Sequence, residues 1–90
     1  MKTFNKFLLD ENSLSKQTVY MPHEAEVVDV VKSDLGVMLI ALNNNASASA
    51  PPDLHTFKIC ASDEIFYVDT VKYIGSYVGK LGLRHVIEIR

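Results

Sequence analysis

Apolar and polar residues alternate with a period of two along most of this chain. The clearest stretch is the last, from Leu83 to Arg90. Leu83, His85, Ile87 and Ile89 fall on one face; Arg84, Glu88 and Arg90 fall on the other, with Val86. A helix would scatter these residues around its circumference, so the period predicts a strand. Val71 to Val78 predicts the strand before it, and Gly79-Lys80-Leu81-Gly82 supplies the turn of a C-terminal hairpin. Upstream, Glu26 to Lys32 and Val37 to Asn43 are apolar runs joined by Ser33-Asp34-Leu35-Gly36, which fits a four-residue hairpin loop. The near-continuous hydrophobicity of both runs predicts central strands covered on both faces.

Three more strands are expected: Thr3 to Leu9, Lys16 to Met21, and His55 to Cys60. Pro22 lacks an N–H and should end the second of them. In His55 to Cys60, His55, Phe57 and Ile59 point one way and Thr56, Lys58 and Cys60 the other. Residues 43–53 contain nothing larger than Asn or Pro and predict a flexible loop between strands. Residues 61–70 predict a loop with one short helical turn at 62–69, which Ser62 would N-cap. The expected architecture is one all-β, mainly antiparallel domain over residues 1–90. Seven short strands make it a small sandwich or a partly open barrel. The last strand, with its charged side, reads as a sheet edge, and an unblunted edge invites pairing with another copy in a homo-oligomer.

Composition narrows the classes. Ten valines and six isoleucines in 90 residues favour strands, because a branched Cβ packs well on a pleated surface. The longest apolar run, Val37 to Leu42, is six residues, against roughly 20 for a membrane-spanning helix. No basic stretch followed by an apolar one opens the chain, so no export signal is read and no membrane role is expected. Nine Lys and Arg stand against eleven Asp and Glu, dispersed along the chain, which argues against a nucleic-acid binder. The single cysteine, Cys60, excludes an internal disulfide; it is expected as a small buried thiol in a reducing setting.

Reaction chemistry is scarce. Gly75-Ser76-Tyr77-Val78-Gly79-Lys80 has three residues between its glycines where a phosphate loop needs four, and Leu81 stands where a hydroxyl would hold Mg²⁺. His23, His55 and His85 have no second His or Cys within four residues, so neither a metal nor a cofactor is implied. Asp63, Glu64 and Asp69 read as solvated loop carboxylates. No serine has Gly-x-Ser-x-Gly context. An enzyme would need His55 and His85, on neighbouring strands, to converge with a carboxylate from Asp63 to Asp69; Lys58 and Arg84 would then lie on the opposite faces. The expectation is a protein that is not an enzyme.

Tyrosines are the better clue, at Tyr67, Tyr73 and Tyr77. Tyr73 and Tyr77 are expected to share a face with Gly75 between them, a platform for a planar ligand or a partner's side chain; ordinary half-buried strand tyrosines are the plainer reading. Lys58, Arg84, His55 and His85 complete the expected contact residues.

Read end to end, the chain resembles a family of short, uncharacterised proteins from tailed bacteriophages. The residues that carry this are Met21-Pro22-His23-Glu24-Ala25, Val27 to Val31, Leu35-Gly36, Leu39 to Leu42, Phe57-Lys58-Ile59, Tyr73-Ile74-Gly75 and Val86-Ile87-Glu88. The family's Gly-Thr-Gly-like turn is replaced here by Cys60-Ala61-Ser62-Asp63. The resemblance implies a viral origin, an accessory role and action in the host cytoplasm; it brings no known reaction. The expected function is stoichiometric binding of a host protein or a small, nucleotide-like signalling ligand, as an anti-defence inhibitor or nucleotide sponge. The alternative is a structural or virion-associated assembly module.

Overall fold

Alternating branched residues do form strands in all seven expected places. The computed structural model describes residues 2–44, 49–64 and 70–90. Its strands are β1 (Lys2–Leu9), β2 (Gln17–Met21), β3 (Glu26–Ser33), β4 (Gly36–Asn44), β5 (Asp53–Ala61), β6 (Val71–Gly79) and β7 (Gly82–Ile89). Every pairing is antiparallel, in a three-stranded sheet ordered β1-β4-β3 and a four-stranded sheet ordered β2-β5-β7-β6. The chain is therefore a β-sandwich and not a closed barrel. Of the expected flexible loop, residues 45–48 lie outside the described residues. So do residues 65–69 of the expected helical turn, with Tyr67 and Asp69. Residues 61–64 form a β-turn closed by the Glu64 N–H on the Ala61 carbonyl at 3.2 Å.

Val37, Leu39 and Ala41 of β4 face inward with no exposed surface, as do Phe57 of β5, Val86 of β7 and Met21 at the end of β2. Leu9, Ala25, Val27, Val30, Ile59 and Tyr77 complete the buried cluster between the sheets. Both tight hairpins use the same device. Ser33 pairs with Gly36 and Gly79 with Gly82, leaving two loop residues each, and the glycine after the loop takes positive φ (125° and 106°). The β3–β4 loop is therefore two residues long, not four, because the strands pair up to Ser33 and Gly36.

Two expectations about strand position fail. β3 is an edge strand, and only β4 of that hairpin is central. β7 is not an edge: it lies between β5 and β6. The face of β7 that looked polar is turned inward, because Val86 alternates with Arg84 and Glu88 and takes them with it. Glu88 is accommodated there by His55, and Arg84 reaches the end of the sandwich, where it lines a cavity.

The sandwich closes along one side, where the edges of β3 and β6 meet. Each edge carries a bulge there, at Val28 and at Ile74. A bulge frees backbone groups from the ladder. Here the Val27 carbonyl accepts from Lys72 Nζ at 3.0 Å, and the Val30 N–H donates to its neighbour Asp29 Oδ1 at 2.8 Å. Gly75 permits the approach: a Cβ there would stand 2.9 Å from Val30 Cγ1. Val30 is a buried, stiff side chain, so the clash has no cheap relief. Gly75→Ala is expected to cost about 1–3 kcal/mol in urea unfolding. Part of that loss should return in a Val30→Ala background, where the offending methyl is gone.

Candidate functional site

The extra residue at Ile74 decides where the tyrosines go. It shifts the register between Tyr73, opposite Ile87, and Gly75, opposite Val86. Tyr73 consequently points out of the sandwich, whereas Tyr77, opposite Arg84, points in. The expected Tyr73–Tyr77 platform does not form, and the gap at Gly75 is filled by Val30 from the other sheet. An unpaired residue in the middle of a strand leaves only a broken alternation in the sequence, and the regular period carried the reading past it.

Tyr77 and Arg84 line a cavity of about 130 Å³ at one end of the sandwich, with Glu11 and Asn12 of the β1–β2 turn and Gly79, Lys80 and Leu81 of the β6–β7 turn. It adjoins a shallower groove of about 530 Å³ that shares Glu11, Asn12 and Lys80 and reaches the β3–β4 turn. The Tyr77 hydroxyl is buried and has no hydrogen-bond partner. Burial pushes its pKa above the usual phenol value, and the nearby Glu11 carboxylate pushes the same way. Glu11 is itself paired with Lys32 at 3.0 Å. Among the described residues, neither Lys80 nor Arg84 has an ion-pair partner. Arg84, the cation nearest the hydroxyl, donates only to the neighbouring Leu83 carbonyl at 3.1 Å, and Lys80 lines the same cavity.

A second cluster lies on the outer face of the same four-stranded sheet. His85 Nε2 is 2.8 Å from Ser62 Oγ, and His85 Nδ1 is 2.9 Å from the Tyr73 hydroxyl. A neutral imidazole suits both, donating from one nitrogen and accepting at the other. Ser62 therefore holds the turn against β7; the helical turn that it is expected to cap runs into residues 65–69, outside the described residues. Lys58 points to the same face and pairs with Glu64. That hydrogen bond holds the Glu64 carboxyl below its usual range. Cys60, opposite His85, is buried as expected, and burial raises its thiol pKa, with the Glu64 charge adding to the effect.

His55 and His85 do not converge. β5 and β7 are neighbours, as allowed for, but His55 faces inward and His85 outward. His55 Nδ1 instead donates to Glu88 Oε2 at 2.8 Å, both side chains nearly buried, and its ring stacks on Phe57 at 7° with centroids 6.2 Å apart. The two-histidine enzyme site is thereby overturned. Lys58 also lies on the same face as His85, not opposite to it. His23 joins a separate turn: its Nδ1 is 3.2 Å from Asp53 Oδ1, and Asp53 Oδ2 accepts the Glu24 N–H at 3.1 Å. Those bonds, the backbone one foremost, lower the Asp53 pKa and support the positive φ of 63° at Glu24.

Of the six expected contact residues, the structure brings Tyr77 to Arg84, and Tyr73 to His85 with Lys58 nearby, and leaves His55 in the core. Sequence reading missed Glu11, Asn12 and Lys80 at the cavity and Ser62 beside His85; all four lie in turns, whose distant packing no local period reports. Among the described residues no three His, Cys, Asp or Glu side chains stand where they could share a metal ion, and no helix is long and apolar enough to cross a membrane. Compared with known proteins, the chain matches no family model, no curated protein and no solved structure.

Proposed function

We propose that this protein works by stoichiometric capture of a small anionic ligand, of the phosphate-bearing, nucleotide-like kind, in the cavity at the Tyr77 end of the sandwich. The observation that carries the reading is the buried Tyr77 hydroxyl without a partner, at a cavity also lined by Arg84 and Lys80, neither of which has an ion-pair partner among the described residues. A buried polar group left unsatisfied costs about 1–3 kcal/mol, so a ligand that enters the cavity and opens a path to this hydroxyl gains by supplying the missing bond. The cavity is of a size to take a phosphate group, and the adjoining groove has room for the rest of a small molecule. The resemblance to short tailed-phage proteins agrees with such a role, as an accessory factor that sequesters a host signalling nucleotide in the infected cytoplasm.

Isothermal titration with inorganic phosphate and with nucleoside monophosphates and cyclic phosphates tests the proposal. Binding is expected, with the ligand unchanged after recovery. Arg84→Gln should weaken it by roughly 10- to 100-fold, the loss of a charge-assisted bond. Tyr77→Phe has an unusual expected signature: the free protein gains about 1 kcal/mol of stability because the orphan hydroxyl is gone, while affinity falls. Absence of binding by every one of these anions, or turnover of any of them, refutes the proposal.

A further inference from the structure

The outer face of the β1-β4-β3 sheet is apolar along its middle and, among the described residues, has nothing packed on it. Phe4 and Leu8 are 68% and 60% exposed there, although both lie within a regular strand. Beside them run Met38, Ile40 and Leu42, the alternate residues of β4 that do not face the core. The register lays the face out in rows: Phe4–Leu42–Glu26, Lys6–Ile40–Asp29 and Leu8–Met38–Val31. Charge is therefore distributed by edge. Lys6 stands on the β1 side, with no ion-pair partner among the described residues; on the β3 side stand Asp29, whose Oδ1 accepts the Val30 N–H, and Glu26, 3.6 Å from Lys72.

In one orientation two of these rows complement themselves, Lys6 with Asp29 and Leu8 with Val31. A two-fold axis running along β4, between two copies stacked face to face, places β1 of each copy over β3 of the other at the same level. Ile40 meets Ile40 near the axis, Leu8 meets Val31, Lys6 of each copy lies over the Asp29 row of the other, and the Phe4 ring lies over the stem of Glu26. An axis across the strands would instead lay Lys6 on Lys6 and Asp29 on Asp29, which like-charge repulsion opposes. We propose that the occupant of this face is a second copy of the chain, in a two-fold, face-to-face dimer with its axis along β4. From strand spacing and rise, the face measures roughly 15 by 25 Å. That is below the roughly 800 Å² per partner of a standard interface, so the dimer is a concentration-dependent one.

Sedimentation velocity from about 1 μM to 1 mM protein tests it, and is independent of any ligand in the Tyr77 cavity. A reversible shift from monomer to dimer is expected. Carbodiimide, a zero-length coupler, should link Lys6 to Asp29 or Glu26 between copies, identified by mass spectrometry of mixed heavy and light chains. Ile40→Asp brings two carboxylates together at the axis and should leave monomer throughout. Should that variant misfold, Phe4→Ser with Leu8→Ser makes the same test at positions already exposed in the monomer. Monomer at every concentration overturns the proposal, as does a dimer that survives these changes in folded protein.

Discussion

Phe57→Ala is expected to cost about 3–5 kcal/mol, the usual toll for deleting a fully buried aromatic ring and leaving a cavity. Phe57 has no exposed surface and is the largest fully buried side chain among the described residues. It sits on β5, a central strand of its sheet, between β2 and β7. Its loss also takes away the surface on which the His55 ring stacks. In a domain of 90 residues, 1 kcal/mol corresponds to roughly 4–8 °C, so the midpoint should fall by at least about 12 °C. Differential scanning calorimetry reads this directly; a fall of less than a few degrees would mean that the sheets do not pack about this residue.

The second large effect is expected at the inward pair on β5 and β7. Removing the ring in His55→Ala leaves the Glu88 carboxylate, 8% exposed, without its 2.8 Å partner. Lys72 is opposite Glu88 in register, but its amine is committed to the Val27 carbonyl, with Glu26 3.6 Å away. An uncompensated buried charge costs several times more than the net worth of the pair, so a loss of about 2–4 kcal/mol is expected. Replacing both partners with apolar residues, His55→Phe with Glu88→Leu, should be close to neutral or stabilising. The double-mutant cycle in urea then shows strong coupling. Equal and additive losses from the single and double changes would contradict the account of why β7 tolerates a carboxylate inside.

The sequence announced the strands themselves far better than their neighbours. Every strand was legible because side-chain alternation is local: two residues on, the same face returns. The turns at Ser33 to Gly36 and Gly79 to Gly82 were legible for the same reason, since their glycines answer a demand set within four residues. Sheet order was not. Whether β7 lies at an edge or between β5 and β6 depends on contacts that no local pattern encodes, and its charged side misled because inward polar groups can be satisfied by partners elsewhere in the chain. Glu88 with His55 is the instance. The site suffered twice over. The bulge at Ile74 reversed one tyrosine relative to the other, and the cavity draws on Glu11 and Asn12, some 65 residues from Tyr77 along the chain.

The meeting of the β3 and β6 bulges carries a consequence for how these molecules behave in a crowded solution. Backbone groups at the margin of a sheet are templates on which foreign strands, or misfolded copies, can grow ladder by ladder. Here two of the four margins are turned toward each other, and kinked where they meet, with a lysine amine plugging a carbonyl that a ladder would need. Of the two that remain, β2 is only five residues long and is followed at once by Pro22, and β1 carries Lys2 and Lys6. Fibrillar growth from the native state should therefore be suppressed by geometry at one flank and by brevity and charge at the other.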